Sequence, residues 1–182
     1  MFIEVMEKCK EGGLSNNIDK TKSMTNGKWE EPIKIEGKTI EETKEYKYLG
    51  RIISMEDGLN KEISERKKAA WRSFWALKHI YKSSTMPVKL KMKILETCTL
   101  PTLTYSSQTW ALTNTQLNKL RVTQRAMERS ILNIRKTDKI KNKNIRALTN
   151  IKDVGYIVKR AKFRYAGHMG RTKKDKWNKR IH

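Results

Sequence analysis

The chain is predicted to be mainly α-helical, with a small antiparallel β region near its N-terminal end. Three observations predict this. Apolar residues recur every three or four positions from Ile63 to Tyr81 and again from Leu117 to Ile134, the spacing of a buried helical face. Glycine, proline, aromatic and β-branched residues alternate through residues 13–55 at turn and strand spacing. The charge is also divided. Residues 1–65 carry 11 Lys/Arg and 14 Asp/Glu, a net of −3, whereas residues 66–182 carry 30 Lys/Arg and 5 Asp/Glu, a net of +25. The expected segments are 1–56, 57–136 and 137–182.

Phe2, Met6 and Cys9 fall at helical spacing, and Gly12-Gly13 ends that helix. Leu14 to Met24 reads as a turn and a strand-like segment. Gly27, Pro32 and Gly37 punctuate two short stretches, Ile33–Ile35 and Thr39–Ile40. Tyr46-Lys47-Tyr48-Leu49-Gly50-Arg51-Ile52-Ile53 is the best strand candidate.

After Gly58 the pattern becomes helical. Ile63, Ala70, Phe74, Leu77 and Tyr81 share one face, and Lys61, Lys68, Arg72 and His79 fall opposite. Trp71, Trp75, Lys78 and Lys82 form a stripe between them, read as a wider buried face with lysine stems along it or as a binding surface. A second helix is expected from a hydroxyl cap at Ser84-Thr85, with Pro87 in its first turn and a break or kink at Pro101. A third opens after Thr113 or Asn114. On it Arg121, Arg125 and Arg129 repeat every four residues, roughly 6 Å apart along the axis, a solvated or phosphate-facing row. Two shorter helices follow, near Asn142–Leu148 and Gly155–Ala166, and then Gly167-His168-Met169-Gly170-Arg171 and a basic tail.

Several function classes are excluded or disfavoured. The second part of the chain lacks the clustered carboxylates of a divalent-metal nuclease or polymerase site. Cys9 and Cys98 have no neighbouring Cys or His at ligand spacing, so neither a zinc site nor a disulfide framework is expected. His79, His168 and His182 have no partner at catalytic spacing. The acids Glu30, Glu31, Glu36, Glu41, Glu42 and Glu45 read as solubilising residues of turns and strand edges. No apolar run approaches the ~20 residues that span a bilayer, and an intracellular location, nuclear or cytoplasmic, is expected. The positive field points to phosphate as partner rather than to a membrane or a small molecule.

Five segments, in order, carry a resemblance. Gly13-Leu14 followed by Asn17-Ile18-Asp19-Lys20-Thr21-Lys22-Ser23-Met24 looks like G-L-x-x-N-x-x-K-T-K-x-M. Glu45-Tyr46-Lys47-Tyr48-Leu49-Gly50 is similar to E-Y-x-Y-L-G. Leu100-Pro101-Thr102-Leu103-Thr104-Tyr105 with Trp110 resembles L-P-x-L-x-Y-G-x-E-x-W, except that Ser106-Ser107-Gln108 replaces Gly-x-Glu. Gln124-Arg125-Ala126-Met127-Glu128-Arg129 matches Q-R-A-M-E-R, and Gly167-His168 with Arg171 matches G-H-x-x-R. Together they resemble the downstream part of a non-LTR retrotransposon endonuclease–reverse transcriptase, over nearly the whole chain.

The resemblance implies the end of a polymerase palm, a primer grip and a thumb that packs along template–primer nucleic acid. It implies that the chain begins after the Tyr-x-Asp-Asp turn whose aspartates hold catalytic Mg²⁺, so that this chain alone is inactive and needs no cofactor. Lys20 then corresponds to a lysine near nucleotide phosphates, with a role only in an intact polymerase, and Tyr48, Leu49 and Gly50 correspond to the primer grip. Together with the basic helical positions, the candidate nucleic-acid-binding set is Tyr48, Leu49, Gly50, Lys68, Arg72, Arg121, Arg125, Arg129, Arg160, Lys162, Arg164, His168 and Arg171. The expected partner is an RNA–DNA hybrid or duplex DNA, bound without regard to sequence. A host-reused DNA- or RNA-binding module and a helical protein-interaction domain are the alternatives.

Overall fold

The computed structural model describes residues 2–15, 17–27, 31–35, 37–54 and 58–172. The basic tail from Lys173, together with Glu30 and Glu36, lies outside them. The chain forms two units, Met1–Gly58 and Leu59–His182. It is mainly helical, and among the described residues the strands are short pairs in the first unit.

The first unit opens with α1 (Phe2–Glu11). Gly13 ends it at φ 71°, where Leu14 N–H donates to Cys9 O at 2.8 Å and satisfies an otherwise orphaned carbonyl. Asn17 caps the single turn Ile18–Lys20 through its Oδ1. Among the described residues, six two- to four-residue strands follow: β1 (Lys22–Ser23), β2 (Lys34–Ile35), β3 (Lys38–Thr39), β4 (Glu41–Glu42), β5 (Glu45–Tyr48) and β6 (Arg51–Ser54). The β2–β3 and β5–β6 pairs are antiparallel hairpins, but β1 pairs β4 in parallel, against the expected all-antiparallel region. The long connection from β1 to β4 contains the β2–β3 hairpin, so the chain returns in its original direction. The run Tyr46–Ile53, which reads as a strand, is folded back on itself. Leu49 and Gly50 form its two-residue turn at φ 49° and 78°, the positive values that match strand twist in a tight hairpin.

The second unit holds α2 (Gly58–Ala76), α3 (Lys78–Lys82), α4 (Val88–Ile94), α5 (Leu100–Leu103), α6 (Asn114–Ile131), α7 (Asn142–Thr149) and α8 (Val154–Arg171). The apolar run Ile63–Tyr81 is divided at Leu77, whose ψ of 16° ends α2. Pro87 stands as the cap of α4 rather than within its first turn, and no hydroxyl caps that helix. Pro101 does not terminate the following helix. It has no N–H for Thr97 O, and a wider π turn over Leu95–Thr99 carries the chain past this gap into α5. Thr113 caps α6 in a reciprocal capping box with Gln116. Helix α8 runs through Gly167-His168-Met169-Gly170-Arg171, a stretch expected beyond its end.

The main apolar cluster lies wholly within residues 63–154: Ile63, Ala70, Phe74 and Tyr81 from α2 and α3 meet Leu95, Leu100, Leu103, Trp110, Leu120, Met127 and Val154. Each buried Leu, Ile, Val, Met or Phe among them contributes about 1.5–3 kcal/mol on burial. The Phe74 and Tyr81 rings stack at 4.6 Å, and the Tyr81 hydroxyl meets Thr99 Oγ1 at 3.2 Å. Burial pushes that phenol up from its ordinary value, against the Thr99 hydrogen bond. Both α7 and α8 pack on α6, and α8 also packs on the single turn Ser107–Thr109. No helix among the described residues is long and apolar enough to cross a membrane.

Candidate nucleic-acid interface

The arginine row of α6 is engaged by acceptors of the protein itself, and its middle member is buried. Arg125 is 5% exposed, and its Nη1 donates to Glu128 Oε1 at 2.6 Å while Nη2 donates to Asp153 Oδ2 at 3.1 Å. Arg121 Nε donates to Asp153 Oδ1 at 3.2 Å, and Arg146 Nη2 to Asp153 Oδ2 at 3.0 Å. Arg129 Nη2 donates to Ile140 O at 2.8 Å and to Asn142 Oδ1 at 3.1 Å. Arg125 is therefore removed from the candidate set: a guanidinium enclosed by two carboxylates has no face left for phosphate. Arg121 and Arg129 are partly exposed but committed to protein acceptors.

The acid that holds Arg121 and Arg125 is Asp153, which was not among the sequence-predicted site residues. It lies 28 residues beyond Arg125 and caps α8 by accepting Gly155 N–H at 2.9 Å. Its only sequence signal is its place just before an apolar helical run. Gln124 holds the same loop, donating to Lys152 O at 2.8 Å and accepting from Val154 N–H at 2.7 Å. Gly155 leaves room for the junction, since a Cβ there would stand 3.0 Å from Asp153 Oδ1 and 3.1 Å from Arg121 Nη2. Burial alone would raise the Asp153 carboxyl, but Gly155 N–H and the guanidiniums of Arg121 and Arg125 hold it below its ordinary value. Fully buried Glu128 is instead raised by desolvation, which Arg125 and Thr149 only partly offset.

Outward-facing cations lie elsewhere. On α2, Lys68 and Arg72 are exposed, with Lys68 paired to Glu65 at 2.7 Å. Trp71 and Trp75 stand beside them, stacked at 5.9 Å with their planes 20° apart. These residues and Lys67 line an open groove of about 800 Å³. On α8, Arg160, Arg164, His168 and Arg171 are exposed and Lys162 is half-buried. Exposed Tyr156, Phe163 and Tyr165 alternate with them. Gln108, Arg164, His168 and Arg171 share a groove of about 600 Å³, which brings the L-P-x-L-x-Y and G-H-x-x-R segments together.

In the first unit, Tyr48 and Leu49 are exposed and Gly50 half-buried at the hairpin turn. Lys20 is exposed at the end of its single turn, with its N–H donated to Asn17. Among the described residues, no group of three or more His, Cys, Asp and Glu could hold a metal ion.

The described acids of the second unit are nearly all engaged within it. Buried Glu62 accepts from Arg66 at 2.7 Å, Glu65 from Lys68, Glu96 from Lys152 N–H at 3.5 Å, and Asp138 from Arg135 N–H at 2.7 Å. With Glu128 and Asp153 enclosed as well, the solvent-facing charge of α2 and α8 is strongly positive.

No protein-family model matches the chain, and no solved structure matches it significantly. It is 31% identical over 187 aligned residues to an uncharacterized transposon-derived protein of Caenorhabditis elegans. The alignment covers 97% of this chain and 66% of that protein, so the chain spans about two thirds of its relative's length. The likeness supports an origin of this chain in a transposable element.

Proposed function

We propose that the chain is a thumb-like piece of a retrotransposon reverse transcriptase that binds template–primer nucleic acid through its phosphates. One observation carries the reading: the described carboxylates of the second unit are each engaged by its own side chains or N–H groups, while the cations of α2 and α8 stay on the surface. Contacts of that kind are sequence-independent, because phosphate is common to every duplex. The positive φ of Ser106, at the position where the resembled thumb pattern has glycine, supports the same reading. In this proposal Lys68 and Arg72 of α2 and Arg160, Lys162, Arg164, His168 and Arg171 of α8 carry the contacts. The hairpin turn at Tyr48, Leu49 and Gly50 corresponds to the primer grip. Chemistry belongs to metal-binding aspartates of an intact polymerase.

The test is binding of the full chain to an RNA–DNA hybrid and to two unrelated DNA duplexes across 50 to 200 mM salt. With six to ten phosphates contacted, affinity falls on the order of a thousandfold or more over that range and differs little between sequences. Strong preference for one duplex sequence, or no binding at 50 mM salt, would sink the proposal.

A further inference from the structure

We infer that the Trp71–Trp75 pair of α2 is a stacking platform for the bases of an unpaired nucleic-acid strand. The inference rests on the nucleic-acid reading above and adds a ligand class to it. Lys67, Trp71 and Trp75 repeat every four residues along α2, and Lys68 and Arg72 form the adjacent row. The aromatic row is held from beneath. Buried Phe74 meets Trp71 edge-on at 5.3 Å and Trp75 edge-on at 5.2 Å, with interplanar angles of 79° and 85°. Trp71 is half-buried against the core, whereas Trp75 is 48% exposed.

Trp75 thus offers a preorganised ring to solvent, and ordering it for a ligand costs little further entropy. What covers it is decided by charge. Lys67 and Arg72 make no ion pair with any described residue, and Lys68 has only the surface contact with Glu65. Such exposed pairs are weak and yield readily to a competing anion. An aromatic face between cations fits a strand whose bases stack while its phosphates meet lysine and arginine. A duplex cannot use the ring in this way, because its bases already stack on one another. In a template–primer complex the ligand is the single-stranded template or a frayed end.

The experiment compares the full chain's affinity for labelled (dT)12 and for a 12-unit abasic deoxyribose-phosphate oligomer, which keeps the charge and removes the bases. The wild-type chain prefers (dT)12 by about 5- to 30-fold. Trp75→Ala abolishes that preference with an unchanged salt slope, and Trp75→Phe keeps most of it. Arg72→Gln weakens both oligomers alike and lowers the slope by roughly 0.7. Equal wild-type affinity for the two oligomers, or a preference that survives Trp75→Ala in a folded variant, overturns the stacking site while the phosphate reading stands. Binding to neither oligomer nor to any duplex overturns both.

Discussion

Arg125 and Asp153 stand 28 residues apart and meet at 3.1 Å, fastening α6 to the start of α8. Because Arg125 also holds Glu128, one guanidinium joins two carboxylates in an enclosed site that Arg121 and Arg146 complete from outside. The Q-R-A-M-E-R segment is therefore a clamp on the loop that launches α8. It supports a basic surface without contributing to it.

Removing Arg125 leaves buried Glu128 without its cation, whereas removing Glu128 leaves Arg125 paired to Asp153. Arg125→Met is expected to destabilise the chain by about 3–5 kcal/mol, and Glu128→Leu by less, because Arg125 keeps its pairing with Asp153. The double variant recovers most of this loss, since two apolar side chains of similar size need no partner. Chemical denaturation of all four proteins checks the cycle. Additive losses would show that Arg125 and Glu128 do not depend on one another.

Asp153 makes the fold sensitive to acid. Its carboxyl is held below the ordinary value, so its contribution is complete above the unfolded-state value of about 4. That contribution is lost as pH falls through the lower folded value. Glu128 acts with the opposite sign: its raised value means that stability declines as pH climbs from the ordinary carboxylate range through the folded value. Asp153→Asn isolates the first effect. Its difference in melting temperature from wild type should be largest near neutrality and shrink below about pH 4. A constant difference across pH would contradict this assignment.

Ser106 occupies left-handed backbone at φ 63°, where the resembled thumb pattern has glycine. Thr109 N–H and Oγ1 hold the turn by donating to Ser106 O at 3.1 and 2.9 Å. Ser106→Gly relieves the Cβ strain at a position already folded this way. The expected gain is up to about 1 kcal/mol, moderated by glycine's larger unfolded entropy. Thermal denaturation measures it; a loss of stability would mean that the Ser106 side chain holds the turn.

How far the sequence reached depended on distance along the chain. Helical faces were legible because burial of Ile63, Ala70, Phe74 and Tyr81 repeats locally every few residues. The start of α6 was legible to within one residue, at Thr113 or Asn114, and the reciprocal capping box with Gln116 places it at Thr113. The Arg121–Arg125–Arg129 row was misread because its acceptors, Asp153, Ile140 and Asn142, arrive from later elements. Periodicity alone does not say which charged stripe meets solvent. A hairpin was expected in the primer-grip segment from the resemblance, but its turn at Leu49-Gly50 was not placed, because the run of strand formers is uninterrupted and only Gly50 carries a turn signal. The grouping of Gln108 with His168 and Arg171 is likewise a matter of packing between segments that sequence lists separately.

That last grouping yields a test of the α8 surface. Gln108 stands where the resembled pattern has glutamate, and it shares its groove with Arg164, His168 and Arg171. An amide there leaves the cations un-neutralised, whereas a carboxylate would compete with phosphate for them. Gln108→Glu should weaken duplex binding at 50 mM salt by roughly 2- to 5-fold, the range of about 0.2–1 kcal/mol for an exposed pair. It should also lower the salt slope by up to about 1, as one phosphate contact is lost. Gln108→Ala, which removes the amide without adding charge, separates charge from shape and should leave affinity near wild type. Because Gln108 is exposed, neither change disturbs the core. If Gln108→Glu binds duplex like wild type while Arg72→Gln does not, the α8 groove lies off the nucleic-acid path and α2 alone carries it.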